Sequence, residues 1–181
     1  MREVYISVDV EAAGPFPPTY SLLSLGAAVV DDPHATFYVE LRPVNENSVP
    51  GALKVVGRTL QDFAQSGRDP KEAMASFGDW LGSVAPAAKP VFVGFNAVFD
   101  WAFINFYFHQ YLGANPFGIG GIDIKSYYMG LRGCTWEDTR SRRIPNEFKG
   151  SSLRDTHNAL DDAIEQAELF RRMREKSAGS S

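Results

Sequence analysis

Val4-Tyr5-Ile6-Ser7-Val8-Asp9-Val10-Glu11 is the stretch that decides the fold. Val4, Ile6, Val8 and Val10 alternate along it, the pattern of a strand over residues 4–10 that lies centrally in a sheet. Asp9 and Glu11 stand two apart, so their side chains share one face, roughly 6 to 7 Å apart along the strand. A strand that simply runs out into solvent would explain them. A cation between them explains them as well, because uncompensated carboxylates on a central strand are costly.

Working outward, residues 22–30 form a second apolar strand and residues 35–41 a third, with Asp31-Asp32-Pro33-His34 as the turn of a hairpin. Three antiparallel strands therefore open the chain. Gly14-Pro15-Phe16-Pro17-Pro18, between the first two, excludes helix or sheet interior. Residues 45–68 are polar and read as a loop with a helical turn or two. Pro70 opens an amphipathic helix over residues 70–84, with Ala73, Met74, Phe77, Trp80, Leu81 and Val84 at three-and-four spacing. Residues 91–95 are a wholly apolar strand, covered on both faces, and residues 97–112 a helix apolar nearly all round. A fifth strand at 120–124, an irregular stretch at 135–150 and a helix at 158–176 complete the chain. Leu160, Ala163, Ile164, Ala167 and Phe170 form the inward stripe of that last helix. This order predicts an α/β fold, a mixed sheet flanked by helices. It forms a single domain over residues 1–176, with a frayed tail at 177–181.

Composition narrows the function. Lys and Arg number 18 against 22 Asp and Glu, a net charge of −4, so the chain does not hold polyanions by bulk charge and must use a local patch or a metal. Its 181 residues suit one domain, and 44 % apolar against 22 % charged residues exclude a disordered chain. A single cysteine, Cys134, excludes an internal disulfide and a multi-thiolate metal site, as expected of a reducing compartment. Residues 22–30 and 97–108 are too short or too interrupted for a membrane span, and Asp9 and Glu11 fall where a secretory apolar core would lie. A cytoplasmic location is the expectation.

Two more acidic positions join the first pair. Asp100 stands in the first turn of an otherwise apolar helix, where the dipole helps it little and a metal or substrate contact accounts for it better. Asn96, just before it, has an adequate role as the helix N-cap. His157-Asn158-Ala159-Leu160-Asp161-Asp162 opens the last helix, where acids in a first turn also have a plain dipole explanation. It is the set of four that points to chemistry. Carboxylates gathered at one sheet edge call for hard divalent cations with oxygen ligands, and four of them balance two Mg²⁺ or Mn²⁺ ions.

Asp9-Val10-Glu11, the N-x-x-F-D of Asn96 to Asp100 and the H-x-A-x-x-D of His157 to Asp162 resemble, in order, the three motifs of the DEDDh 3′-5′ exonucleases, which include ribonuclease T, oligoribonuclease and polymerase proofreading subunits. The resemblance implies a ribonuclease-H-like fold with a five-stranded mixed sheet. It also implies release of nucleoside monophosphates from 3′ ends, with exoribonuclease action favoured. By position, Asp9, Glu11, Asp100 and Asp162 would hold two Mg²⁺ or Mn²⁺ ions, and His157 would be the general base. Asp161 competes with Asp162; a histidine that precedes the helix favours Asp162. A homodimer is implied by the same relatives.

Where many relatives carry Thr-Thr-Gly after the first motif, this chain has Ala12-Ala13-Gly14 and a proline-rich loop. Substrate contact is expected there from Gly14 and Phe16, with Tyr20 beside them, and in the second motif from Asn96 and Phe99, the aromatic rings packing on terminal bases of single-stranded RNA or DNA. Core packing is the competing role for Phe99. Arg132, Arg140, Arg142, Arg143, Lys149 and Arg154 could guide a phosphate backbone, or form a solvated loop offset by Glu137, Asp138, Glu147 and Asp155. His34 and His109 read as turn and helix-surface residues. Three other functions stay open: a non-catalytic nucleic-acid-binding module, a ribonuclease-H-type endonuclease, and a hydrolase of small nucleotides.

Overall fold

β1 (Glu3–Ala12) lies in the middle of a five-stranded sheet in the computed structural model, which describes residues 2–150 and 158–178. It pairs antiparallel with β2 (Leu22–Val29), and β2 pairs antiparallel with β3 (Asp32–Glu40). On its other side it pairs parallel with β4 (Lys89–Gly94), which pairs parallel with β5 (Gly121–Asp123). The order β3-β2-β1-β4-β5 is therefore mixed, as expected. The β1–β4 ladder ends at Ser7↔Val93, while the β1–β2 ladder continues to Glu11↔Ser24 and beyond. The last residues of β1 are thus left without a strand on the β4 side, and that gap receives the site.

Helices cover both faces. Val4, Ile6, Val8 and Val10 point to one core, shared with Met74 and Phe77 of α3 (Pro70–Val84) and Phe103, Ile104 and Phe108 of α4 (Val98–Leu112). The opposite core joins Ala28 and Val93 to Ile124 and Tyr128 of α5 (Ile124–Arg132) and to Ala167, Phe170 and Met173 of α6 (Ala159–Ala178). Alternation along β1 therefore sends Tyr5, Ser7, Asp9 and Glu11 toward the α6 face.

Four departures from the sequence reading have local causes. Residues 45–68 hold two short helices, α1 (Pro50–Val56) and α2 (Leu60–Ser66), whose Leu53, Val56 and Phe63 close a small core on Ala13 and Leu23. The fifth strand is shorter than predicted, because Asp123 caps α5 through the Ser126 N–H at 2.7 Å and Ile124 is already helical. Asn96 is not the cap of α4: it sits at φ +66°, Ala97 heads the helix without a side-chain cap, and the Ala97 N–H is taken by Asp123 at 2.9 Å. α6 runs to Ala178, two residues past its predicted end, so the tail began too early in the prediction, and residues 179–181 lie outside the described residues. No helix among the described residues is long and apolar enough to cross a membrane.

Candidate active site

Oxygen atoms of Asp9, Glu11 and Asp162 lie within 4.8 Å of one another. Two elements of the chain bring them there. Asp9 and Glu11 project from the α6 face of β1, where Glu11 is still in the ladder opposite Ser24 and half-buried, so the strand has not yet run out into solvent. Asp162 comes from the first turn of α6, which begins where the Asn158 side chain accepts the Leu160 N–H at 3.0 Å. Asp161, its rival in sequence, is exposed on the same turn.

The start of α6 reaches the sheet because β2 carries Gly26 opposite Asp9. A Cβ at Gly26 would stand 2.2 Å from the Ala159 carbonyl and 2.3 Å from the Leu160 nitrogen, so only glycine admits the helix at this distance. Gln166, one turn beyond Asp162, donates to Asp9 Oδ1 at 2.6 Å and accepts the Phe95 N–H at 2.8 Å. Sequence reasoning missed both residues. A glycine inside an otherwise apolar strand was the available signal for the first, since such a glycine often marks a close backbone approach.

Asp100 takes a different position. It is 3 % exposed, and its Oδ1 accepts the Val10 N–H at 3.0 Å, where β4 no longer pairs with β1. Two turns along α4, the Tyr107 hydroxyl accepts the Leu22 N–H at 2.9 Å. The two bonds fix the helix against the ends of β1 and β2 and hold Asp100 close enough to raise the pKa of Asp9.

The electrostatics follow from gathering acids where water is scarce. Burial, then repulsion from Asp100, Asp162 and Glu11, drives Asp9 well above the ordinary carboxylate range, with the Gln166 hydrogen bond opposing. Burial and Asp162 push Glu11 up to about 7. Burial raises Asp100 to about 8 against the pull of the Val10 N–H. This donor set, all carboxylate oxygen and short of solvation, fits hard divalent cations.

A pH dependence follows. Glu11 and Asp100 bind protons in the folded chain at pH values where the unfolded chain, with carboxylates near about 4, has released them. Stability in EDTA should therefore rise as pH falls from about 8 toward 5, the reverse of a carboxylate held low by a cation. Asp100→Asn, which keeps an oxygen for the Val10 N–H, should raise the Tm in EDTA at pH 8 by several degrees, at roughly 2–4 °C per kcal/mol for a chain of this size. Calorimetry at pH 5.5 and 8 checks both statements, and a Tm that is flat or rising with pH would contradict them.

Beside Glu11 opens a cleft of about 380 Å³, walled by Gly14 and Pro15, by Val49, Ala52 and Val55 of the α1 region, and by Phe99. Gly14 is needed there, since a Cβ would stand 2.4 Å from the Tyr20 ring. Phe99 lines the cleft and also meets Phe103 edge-on at 5.3 Å, so packing and contact are both served. Phe16 is not among the lining residues; it is 51 % exposed and stands edge-on to Tyr20 at 5.6 Å. Asn96 is exposed and outside the lining as well.

The basic stretch is partly spent on its own acids: Arg140 pairs with Glu137 at 2.8 Å, and Arg143 with Asp138 at 3.1 Å. His34 and His109 are exposed on β3 and α4, and the free Cys134 is half-buried. His157 and Arg154 lie outside the described residues.

A family model described as Exonuclease matches residues 6–170. The Escherichia coli 3′-5′ DNA exonuclease Cap18 is 48 % identical over 171 residues, 94 % of this chain and 91 % of that one. Among solved structures, a full-length 3′-exonuclease superposes with a TM-score of 0.76 at 17 % identity, covering 96 % of this chain and 82 % of that one. The nuclease domain of 3′hExo, a DEDDh family member bound to rAMP, gives a TM-score of 0.73 at 17 % identity, covering 96 % and 92 %. Escherichia coli exonuclease I in complex with a dT13 oligonucleotide gives 0.73 at 17 % identity, covering 99 % of this chain and 43 % of that one. At such identities the likeness concerns the ribonuclease-H-like fold.

Proposed function

The chain belongs to the exonuclease family and is a 3′-5′ exonuclease, and from this premise we propose that it trims single-stranded DNA from the 3′ end, releasing nucleoside monophosphates at the Asp9, Glu11, Asp100 and Asp162 site. The observation that carries the reading is the meeting of Asp9, Glu11 and Asp162 oxygens within 4.8 Å, beside a cleft that ends on Glu11. The DNA in the name of the 48 % identical relative moves the substrate from the RNA favoured by the motifs to DNA.

Asp9, Glu11 and Asp162 would hold two Mg²⁺ or Mn²⁺ ions, with Asp100 completing the set. When bound, such ions acidify a water and stabilise charge on the leaving 3′ oxygen. The chain's own residues do the rest. Phe99 and the apolar wall of Val49, Ala52 and Val55 receive the terminal nucleotide and exclude water from one side of it. Gly14 lends backbone to that wall, the space of its absent Cβ being taken by the Tyr20 ring. His157 is the proposed general base: an imidazole in its neutral form can take the proton of the attacking water. Support for it is its place in the H-x-A-x-x-D motif, five residues before Asp162. The P–O3′ bond then breaks, leaving a nucleoside 5′-monophosphate and a shortened strand. A homodimer is proposed from the resemblance to ribonuclease T and oligoribonuclease. A reducing, cytoplasmic setting is proposed from the single free Cys134.

The test is digestion of 3′-labelled DNA and RNA of graded length, with Mg²⁺, Mn²⁺ or EDTA, beside strands blocked at the 3′ end. Stepwise loss of mononucleotides from DNA at least tenfold faster than from RNA is expected, with none in EDTA and none from blocked ends. Faster loss from RNA would restore the exoribonuclease reading, and internal cuts in blocked strands would mark an endonuclease. Sedimentation velocity reads the dimer.

A further inference from the structure

We infer that Gln166 is a positioning residue for the Asp9 carboxylate, tying it to the turn that leads from β4 into α4. The inference rests on the reading of Asp9, Glu11 and Asp162 as cation ligands. Gln166 lies four residues after Asp162, so both side chains leave the same face of α6. Its amide spans two fixed partners, accepting the Phe95 N–H at 2.8 Å and donating to Asp9 Oδ1 at 2.6 Å. The amide cannot be turned over, because Phe95 N–H is only a donor and must face Oε1, which leaves Nε2 for the carboxylate. One oxygen held in this way fixes the rotation of the Asp9 carboxylate about its Cβ–Cγ bond. Among the described residues no side-chain amide ties Glu11 in this way, so of the two β1 ligands it is Asp9 whose orientation Gln166 dictates. Phe95 follows β4, which ends at Gly94, and leads through Asn96 and Ala97 into the helix that carries Phe99 and Asp100. A single side chain thus links β1, α6 and that turn.

Groups behind metal ligands typically change metal affinity or activity 10- to 100-fold when removed, and that is the range expected here. Gln166→Met keeps length and bulk without the amide. In calorimetric titration without nucleic acid, its Mn²⁺ affinity should fall 10- to 100-fold. The Mg²⁺ concentration for half-maximal DNA hydrolysis should rise in parallel. kcat should recover at high metal, while KM for DNA stays within about twofold of wild type. Gln166→Asn, too short to span both partners, should show the same pattern and replaces the first variant if that one does not fold.

If Gln166 serves only to hold α6 to Phe95, the Tm falls while Mn²⁺ affinity and metal half-saturation stay at wild-type values, and the inference is overturned. Wild-type protein and Asp9→Asn are the controls. Wild-type binding that Asp9→Asn abolishes supports the cluster reading. No Mn²⁺ binding by the wild type would overturn that reading and this inference together.

Discussion

Asp162→Asn is expected to lower 3′-5′ exonuclease turnover about 10³-fold or more, the loss of roughly 4 kcal/mol of transition-state stabilisation. Asp161→Asn should change it by less than about threefold. The two residues are neighbours in a run of acids, and the sequence favours Asp162 only through the H-x-A-x-x-D resemblance and a histidine that precedes the helix. The fold separates them. Asp162 shares a 4.8 Å cluster with Asp9 and Glu11, while Asp161 is exposed on the first turn of α6 with its N–H directed at the Asn158 cap at 3.4 Å. Loss of Asp161 removes at most a favourable helix-dipole interaction, about 0.3–1 kcal/mol of stability. Loss of Asp162 removes one of three oxygen donors that meet at one point. Steady-state kinetics on a labelled oligonucleotide checks the pair, and the reverse ranking would assign the cation to Asp161.

Gly26→Ala is expected to lower both stability and turnover, although it adds one methyl group to a strand. The new Cβ would meet α6 backbone at 2.2 Å, and neither Ala159 nor Leu160 can yield as a flexible side-chain tip would. Either β2 or the start of α6 must shift. Overpacking of this kind costs about 1–3 kcal/mol, and the shift carries Asp162 away from Asp9 and Glu11. Turnover should therefore fall at least tenfold even at temperatures where the variant is fully folded. Gly82→Ala supplies the contrast: it lies on the exposed side of α3 with no atom near the added Cβ. That change should stabilise by about 0.5–1 kcal/mol and leave turnover unchanged. Thermal melts and kinetics on both variants read the difference. An active, undisturbed Gly26→Ala would mean that the approach of α6 does not set the position of Asp162.

Some of what was missed had a local signal. Asp123 as cap, Ile124 and Tyr128 four apart, and Gly133 at φ +60° mark α5 at both ends, yet the short length of the helix hides it among polar residues. The helices in residues 45–68 are seven residues each, too short for periodicity to speak clearly, and they hold because Leu53, Val56 and Phe63 find a core on Ala13 and Leu23. The type of Asn96 and its place between strand and helix suit a cap; the backbone turns there into the left-handed region, which asparagine tolerates, and the helix starts one residue later than a cap at Asn96 requires.

Alternation on β1, the helical stripe of α3 and the spacing of three short motifs are properties of neighbours along the chain, so the sequence by itself determined the mixed sheet and the exonuclease family, and named the candidate acids with Asp161 beside Asp162. Distances between distant segments obey packing instead. The admission of α6 by Gly26, the bond from Gln166 to Asp9, the seat of Asp100 on Val10 and the choice of Asp162 over Asp161 arise only where a helix meets a strand from more than a hundred residues away, or where a ladder stops short and leaves an N–H to be claimed.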